Sequence, residues 1–249
     1  MVLPDGVFSV AKEKGSTSQN VLNKIKAMVL QKNPGLKKKQ IKLGHGGTLD
    51  PFATGVLVVG IGSGCKALSQ YLSGEKEYRA VVRVGQETDT FDRTGKTVLQ
   101  EDGQRPDIAA LSKIAAEKYV GKIMQRPPIY SAVHVDGKRA HALAREGKLK
   151  EEDMKEREVS VVRIDIEKSD LGDEYFDMVV VSQKGVYVRS LGVSLCRETG
   201  VLGAVWELER TRQGEFTIGE SLSVEECGDL EKIRAHIERA RGDVPSGST

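Results

Sequence analysis

The sequence predicts an α/β protein of the α+β type, with a mixed, largely antiparallel sheet flanked by helices. Three observations predict it. A strand-like alternation runs through "EYRAVVRVG", where Tyr78, Ala80, Val82 and Val84 share one face and Arg79, Val81 and Arg83 the other. Apolar residues recur at helical spacing at Val21, Leu22, Ile25, Met28 and Val29, and again at Leu230, Ile233 and Ile237. Between such segments lie hairpin-like turns and irregular helices, so the regular strand–helix alternation of a parallel sheet is missing.

Each element follows from its own residues. Residues 7–10 read as a first strand, and Thr17 or Ser18 can cap the helix that follows. Pro34 and Gly35 end that helix. The apolar run 56–61 reads as a buried strand, followed by a short helix over 67–72. After the alternating strand, a turn at 92–95 and a strand near 96–99 suggest a hairpin-like unit. Asp107 is placed to begin a helix with Ile108, Leu111, Ile114 and Ala115 inward. Residues 126–157 are rich in Pro, Gly and charge, with a helix over 140–146; a connector this long reads as a functional loop. Strands are expected at 159–167 and 175–183, a mixture of strand end and helix at 188–199, a strand over 202–210, and a closing helix over 224–240. The tail 241–249, "RGDVPSGST", is expected to be disordered.

The chain has 249 residues, 39% hydrophobic and 30% charged, enough for one large domain or two small ones. No apolar run approaches the ~20 residues that span a bilayer. No targeting signal is legible at the N-terminus, which fits the cytoplasm or the nucleus and leaves the mitochondrion open. Cys65, Cys196 and Cys227 are far apart and read as free thiols in a reducing compartment. The net charge is only +2, but it is unevenly distributed. No Asp or Glu lies between Glu13 and Asp50, while eight lysines fall in residues 14–49. A second basic stretch runs through "QRPPIYSAVHVDGKRAHALAREGKLK". Local positive potential of this kind suits a polyanion-binding face; the bland alternative is two solvated loops.

Several motifs fail on inspection. "GIGSGCKA" lacks the glycines of both standard phosphate-binding patterns. "DTFDRTG" lacks the acidic spacing of a calcium loop, and the four histidines show no zinc spacing. A mechanism that is metal-free, or for which a metal is not essential, is therefore favoured. Asp50, in "GHGGTLDPFATG", stands out. Asp before Pro is a common turn initiator. Yet the surrounding glycines permit close ligand approach, His45 can stack on a base or contact phosphate, and the strand that follows would hold the loop. A carboxylate there could act as nucleophile or base. Such a carboxylate needs a cation, and Arg189 beside Tyr187 in "KGVYVRSLG" is a candidate.

The motifs "GHGGTLDPFATGVLVVGIGSGCK", "EKEYRAVVRVGQETDTFDRTG", "RPPIYSAVHVDGKRAHALAREG", "KGVYVRSL" and "LERTRQGEFTI" occur in the order seen in the TruB-type tRNA pseudouridine synthases, and the chain resembles that family over roughly residues 6–222. The resemblance implies a pseudouridine synthase catalytic fold over 1–240 with an RNA-clamping segment at 126–155. It implies isomerisation of uridine to pseudouridine in the T-loop of tRNA, at nucleotide 55, with no cofactor. Asp50 matches the catalytic Asp, Tyr78 the active-site Tyr that stacks near the base and can take the C5 proton, and Arg189 the Arg that pairs with the Asp. Tyr187 and Leu208 match pocket residues, and His45 a residue that fills the space left by the flipped base. Lys12 and Lys66 match basic positions near the RNA; Tyr130 and Arg145, in the clamping segment, are further expected substrate contacts.

Whether Asp50 attacks C1′, attacks C6 or removes the C2′ proton stays open. The sequence departs from the common pattern at "AKEKG", at Phe52, at Cys65 and at His134. A monomer acting on the T-arm is expected, without the PUA domain of bacterial members. Catalysis on other RNAs that bear a T-loop-like hairpin, such as mRNA, is an alternative reading. The rival reading is an RNA-binding, tRNA-folding factor that keeps the fold without turnover.

Overall fold

The computed structural model describes residues 3–242. The chain divides into two compact units, Met1–Glu77 with Glu209–Thr249, and Tyr78–Leu208. In chain order the first elements are β1 (Gly6–Lys12), α1 (Ser18–Lys32), β2 (Leu43–His45), β3 (Thr54–Ile61), α2 (Leu68–Ser73) and β4 (Lys76–Val84). Next come β5 (Gln86–Thr88), β6 (Thr97–Gln100), α3 (Ile108–Ile114), β7 (Gly121–Gln125), β8 (His134–Val135), β9 (Lys138–Arg139) and α4 (Ala140–Arg145). The last are β10 (Arg157–Lys168), β11 (Tyr175–Ser182), α5 (Val188–Glu198), β12 (Gly203–Gln213), β13 (Phe216–Thr217) and α6 (Leu230–Arg241). Every described strand pairing is antiparallel except that of β3 with β12, so the expected mixed, largely antiparallel sheet is present. No helix among the described residues is long and apolar enough to cross a membrane.

In the first unit β3 pairs with β1, with β2 and, through Thr54 and Gly55, with the end of β12. Its apolar run is buried on both faces. Leu57, Val59 and Ile61 join a core with Phe8, Val10, α1 and α6, whereas Val56 and Val58 join Leu68, Tyr71 and Phe216. A strand buried on both sides reads as a continuous hydrophobic run for this reason. Thr17 Oγ1 accepts from Asn20 N at 3.0 Å and starts α1, which buries Val21, Leu22, Ile25 and Val29. Asn33 ends it by donating its side-chain amide to Val29 O at 2.7 Å.

In the second unit β10 pairs with both β11 and β7. The alternation in β4 is realised: Tyr78, Ala80, Val82 and Val84 are buried, and Arg79 is exposed. β5 and β6 form the expected hairpin. The segment after β7 is not an open connector. Asp136 (φ 49°) and Gly137 (φ 79°) make the tight turn of a small β8–β9 hairpin. Val133, Ala140, Leu149 and Met154 are buried in one cluster, with Ile129, Val135, Leu143 and Tyr187 packed against it. The segment therefore has a core of its own.

Two element expectations need correction. Residues 188–199 contain no strand end, because α5 begins at Val188 and buries Val188, Leu191, Val193 and Leu195. The closing helix starts at Leu230 rather than 224, because Asp229 caps it by accepting from Glu231 N at 2.9 Å. Its inward residues Leu230, Ile233 and Ile237 are those read from the sequence. It runs to Arg241, and Gly242 (φ 75°) ends it in the left-handed region. The rest of the tail expected to be disordered, residues 243–249, lies outside the described residues.

Candidate active site

Asp50 lies in the loop between β2 and β3, in the first unit. The loop backbone is tied down along nearly its whole length. Gln213 Nε2 donates to Gly46 O at 2.6 Å. Arg210 Nη2 donates to Gly47 O at 3.2 Å, its Nη1 to Thr48 O at 3.5 Å, and its Nε to Val56 O at 2.8 Å. Ser18 Oγ, at the start of α1, donates to Leu49 O at 3.3 Å and accepts from Leu49 N at 3.0 Å. Asp50 O accepts from Ala53 N at 3.1 Å, and Pro51 O from Gly15 N at 2.8 Å. Lys12 Nζ, at the end of β1, donates to Ala53 O at 2.6 Å and to Pro51 O at 3.4 Å. A carboxylate on a loop held by so many side chains and backbone groups needs little reorganisation to react.

Two of the side chains that hold the loop are cations. Arg210 is 1% exposed and Lys12 2%. Burial pushes the Lys12 ammonium down to about 8, against the pull of Asp50, which raises it; Arg210 lowers it further. Burial, then Arg210, also brings Lys76 to about 8, and its Nζ donates to Gly74 O at 2.6 Å. His45, on β2, is pushed below its ordinary value by burial and by Arg210, while its Nδ1 accepts from Gly47 N at 3.4 Å. A neutral imidazole with Nδ1 as acceptor leaves Nε2 as the donor.

Gly55 shows why the loop needs glycine. Its φ is +113°, and a Cβ there would stand 2.2 Å from Arg210 O. The close approach lets Gly55 pair with Arg210 in the parallel β3–β12 contact.

A second group of predicted residues gathers at the start of α5, in the second unit. Arg189 is 3% exposed. Its Nη1 donates to Thr90 O at 2.7 Å and lies 3.5 Å from Asp92 Oδ2; its Nη2 donates to Tyr130 O at 3.0 Å. Asp92 is held by Thr90 Oγ1 at 2.9 Å and Thr94 N at 2.9 Å. Between Thr90 and Asp92, Phe91 adopts φ 62°, in the left-handed region that non-glycine residues seldom use. The Arg197 guanidinium lies 5.4 Å from its ring centroid. The Tyr130 hydroxyl is pushed up by burial and then by Asp89, which accepts its hydrogen bond, with Arg145 acting in the opposite direction. Tyr187 is the residue before α5. Gln125 brackets it, accepting from Tyr187 N at 2.8 Å and donating to Tyr187 O at 3.1 Å. Tyr78 on β4 and Leu208 on β12 are both buried.

Residues 35–188 match the family described as TruB family pseudouridylate synthase (N terminal domain). The chain belongs to the TruB family. Pseudouridylate synthase TRUB1 of Mus musculus is 38% identical over 98% of this chain and 73% of its own length. The tRNA pseudouridine synthase B of Clostridium tetani is 36% identical over 94% of this chain and 75% of its own. A chain of a crystallised Cbf5-Nop10-Gar1 complex shares 25% identity at a TM-score of 0.63, covering 95% of this chain and 56% of that one. This chain thus spans little more than half of that solved structure.

Within this TruB-family chain, Asp50, His45 and Lys12 come together around Arg210, and Arg189, Tyr130, Arg145 and Tyr187 around the start of α5. Lys66 is exposed on the helical turn Gly62–Ala67 and takes no part in holding the loop. Lys12, expected near the RNA, is buried beneath the Asp50 loop, and its ammonium donates to the carbonyls of Glu13, Pro51 and Ala53. Sequence reading missed Arg210, Gln213, Lys76, Asp92 and Gln125. Lys76 was within reach, because it opens the face continued by Tyr78, Ala80, Val82 and Val84. Asp92 was read only as part of a turn and of a stretch that fails as a calcium loop, not as a partner of Arg189. Nothing local marks Arg210, Gln213 or Gln125, whose partners lie many residues away.

Proposed function

We propose that this chain isomerises uridine to pseudouridine at nucleotide 55 in the T-loop of tRNA. It is an isomerase of the pseudouridine synthase class. The observation that carries the reading is Asp50 on an immobilised loop inside a TruB-family chain. A uridine in a folded loop must be extruded before its glycosidic bond can be reached, and unstacked RNA bases are read by shape, stacking and 2′-OH contacts.

Asp50 detaches the uracil, by attack at C1′, by attack at C6 or by removing the C2′ proton. The base turns and rebinds through C5. Loss of the C5 proton then restores aromaticity, and one proton leaves carbon as one is gained at nitrogen. The reaction is redox-neutral, so its own balance calls for no cofactor. Tyr78 stacks on the base and accepts the C5 proton, and Arg189 offsets the negative charge of the reacting carboxylate. Tyr187 and Leu208 line the base pocket. His45 fills the gap left by the flipped base with a neutral ring, which suits stacking. Tyr130 and Arg145 hold the T-arm from the clamping segment, and exposed Lys66 contacts phosphate. The protein works as a monomer, and T-loop-like hairpins in mRNA are substrates of the same kind.

The test is a chemical pseudouridine map of unmodified tRNA incubated with wild type and with Asp50→Asn. Conversion at the T-loop uridine by wild type alone, with RNA bound by both, is the expected result. Equal conversion by the variant would remove Asp50 from the chemistry. Tight binding by wild type without conversion would make the protein a tRNA-folding factor instead.

A further inference from the structure

Residues 14–49 hold eight lysines and no carboxylate, and the fold treats these lysines unequally. Lys24 pairs with Glu225 at 2.6 Å, and Lys26 Nζ donates to Ile41 O at 2.6 Å. Lys37, Lys38, Lys39 and Lys42 are all exposed, and their ammonium groups join no described ion pair. Their backbone, in contrast, is fixed. Leu36 N donates to Asn33 O at 2.9 Å, Gln40 N to Lys37 O at 2.9 Å, and Lys37 N to Gln40 Oε1 at 2.7 Å. Ile41 is 1% exposed and locked in the core by its side chain and in place by Lys26. Lys42 O accepts from Gly62 N at 2.9 Å, which joins this end of the segment to the turn that presents Lys66. The carboxylate at that corner, Asp5, already accepts from Ser63 N at 2.6 Å.

We propose that Lys37, Lys38, Lys39 and Lys42, together with Lys66, form a fixed cationic ridge that takes the phosphate backbone of the RNA outside the reacting nucleotide. A solvated loop has no reason to be pinned at both ends and in the middle. Consecutive lysines on a rigid turn repel one another, and a polyanion relieves that repulsion on binding. Because the backbone is already ordered, little conformational entropy is lost when phosphate arrives. The ridge leads directly into β2. His45 is three positions after Lys42, about 10 Å along a strand, so the ridge lies beside the Asp50 loop without being part of it. The contacts are to phosphate alone, so the ridge sets register and affinity rather than sequence.

This inference rests on the proposal that the substrate is RNA, and the experiment separates the two. A T-arm stem-loop RNA is titrated with wild type and with the triple variant Lys37→Ala, Lys38→Ala, Lys39→Ala over a range of salt, and conversion is followed in parallel. Each phosphate contact contributes about 0.7–0.9 to the slope of log K against log salt. The variant should lose roughly 2–3 from that slope and bind at least tenfold more weakly at low salt, with KM raised and kcat at saturating RNA kept. The triple Lys→Arg variant should restore the slope. A slope equal to wild type in the alanine variant overturns the ridge, and so does a loss that arginine does not rescue. Failure of wild type to convert any uridine would count against the enzymatic reading alone, because the slope is read on binding.

Discussion

Arg189 and Asp92 face each other across 3.5 Å with both side chains almost wholly buried. The sequence pointed to the arginine and not to Asp92. Breaking a buried pair by removing one member costs about 3–5 kcal/mol. Asp92→Ala should therefore lower the urea midpoint by an amount of that order, with the β5–β6 turn loosened because Thr90 and Thr94 also bond Asp92. Asp92→Asn keeps the shape and should be milder in stability, while single-turnover conversion falls by at least tenfold. A midpoint unchanged in Asp92→Ala would show that the guanidinium is held without Asp92.

Gln125 ties both backbone groups of Tyr187 to β7. Gln125→Leu removes both bonds; Tyr187 O keeps its bond from Leu191 N at 3.1 Å, and Tyr187 N is left to find a new partner. A cost of about 1–3 kcal/mol is expected. If Tyr187 lines the base pocket, KM for RNA should rise with it, whereas a purely structural tie would change the melting temperature and leave KM as it was.

Lys12 and Lys76 give a pH signature. Both fall to about 8 in the folded state, below the ordinary lysine value. Below pH 8 folded and unfolded chains both keep these protons, and the folded state bears the full penalty of burying charge. Between pH 8 and the ordinary lysine range the folded chain has released them and the unfolded chain has not. The unfolded state then binds more protons, so these two groups make stability rise with pH in that window. Urea midpoints at pH 7.5 and 9.5 should show the difference in stability, Lys12→Met or Lys76→Met minus wild type, falling as pH rises. A constant difference would mean that neither lysine titrates there.

Gly55 is the least replaceable glycine of the loop. With φ at +113° and Arg210 O 2.2 Å from any Cβ, Gly55→Ala should be destabilised by about 4 kcal/mol or more. Gly35→Ala is the control, since nothing lies within 4 Å of a Cβ there and its φ is ordinary. Thermal melting that fails to separate the two would contradict the close β3–β12 approach.

The elements that carry a strong period were legible. The alternation of Tyr78, Ala80, Val82 and Val84, the helical stripe from Val21 to Val29 and the apolar run of β3 all report local packing, and each is where it was expected. What stayed hidden depends on distance along the chain. Arg210 is more than 150 residues from the carbonyls it holds, and Gln125 is 62 from Tyr187. A charged residue inside a strand looks like a surface residue until its partners are known. The buried role of Lys12 was hidden for the same reason, since its partners Pro51 and Ala53 are about 40 residues away. Residues 126–157 hid something different. Their Pro, Gly and charge suggested a functional loop around one helix, and the small core built from four dispersed apolar residues was not legible.

The division of the chain has a consequence for its birth. The first unit is assembled from Met1–Glu77 and Glu209–Thr249, with the whole of Tyr78–Leu208 made in between. At cellular rates of synthesis the ribosome takes on the order of ten seconds to deliver that middle stretch. Throughout that time Phe8, Val10 and the apolar face of α1 lack Ile233 and Ile237, and the Asp50 loop lacks Arg210. The later-started unit can therefore finish folding first, while the nascent N-terminal segment waits with its apolar surface uncovered. The Asp50 loop is among the last features to be completed, so a chain released early by the ribosome would carry Asp50 without the arginine that holds its loop.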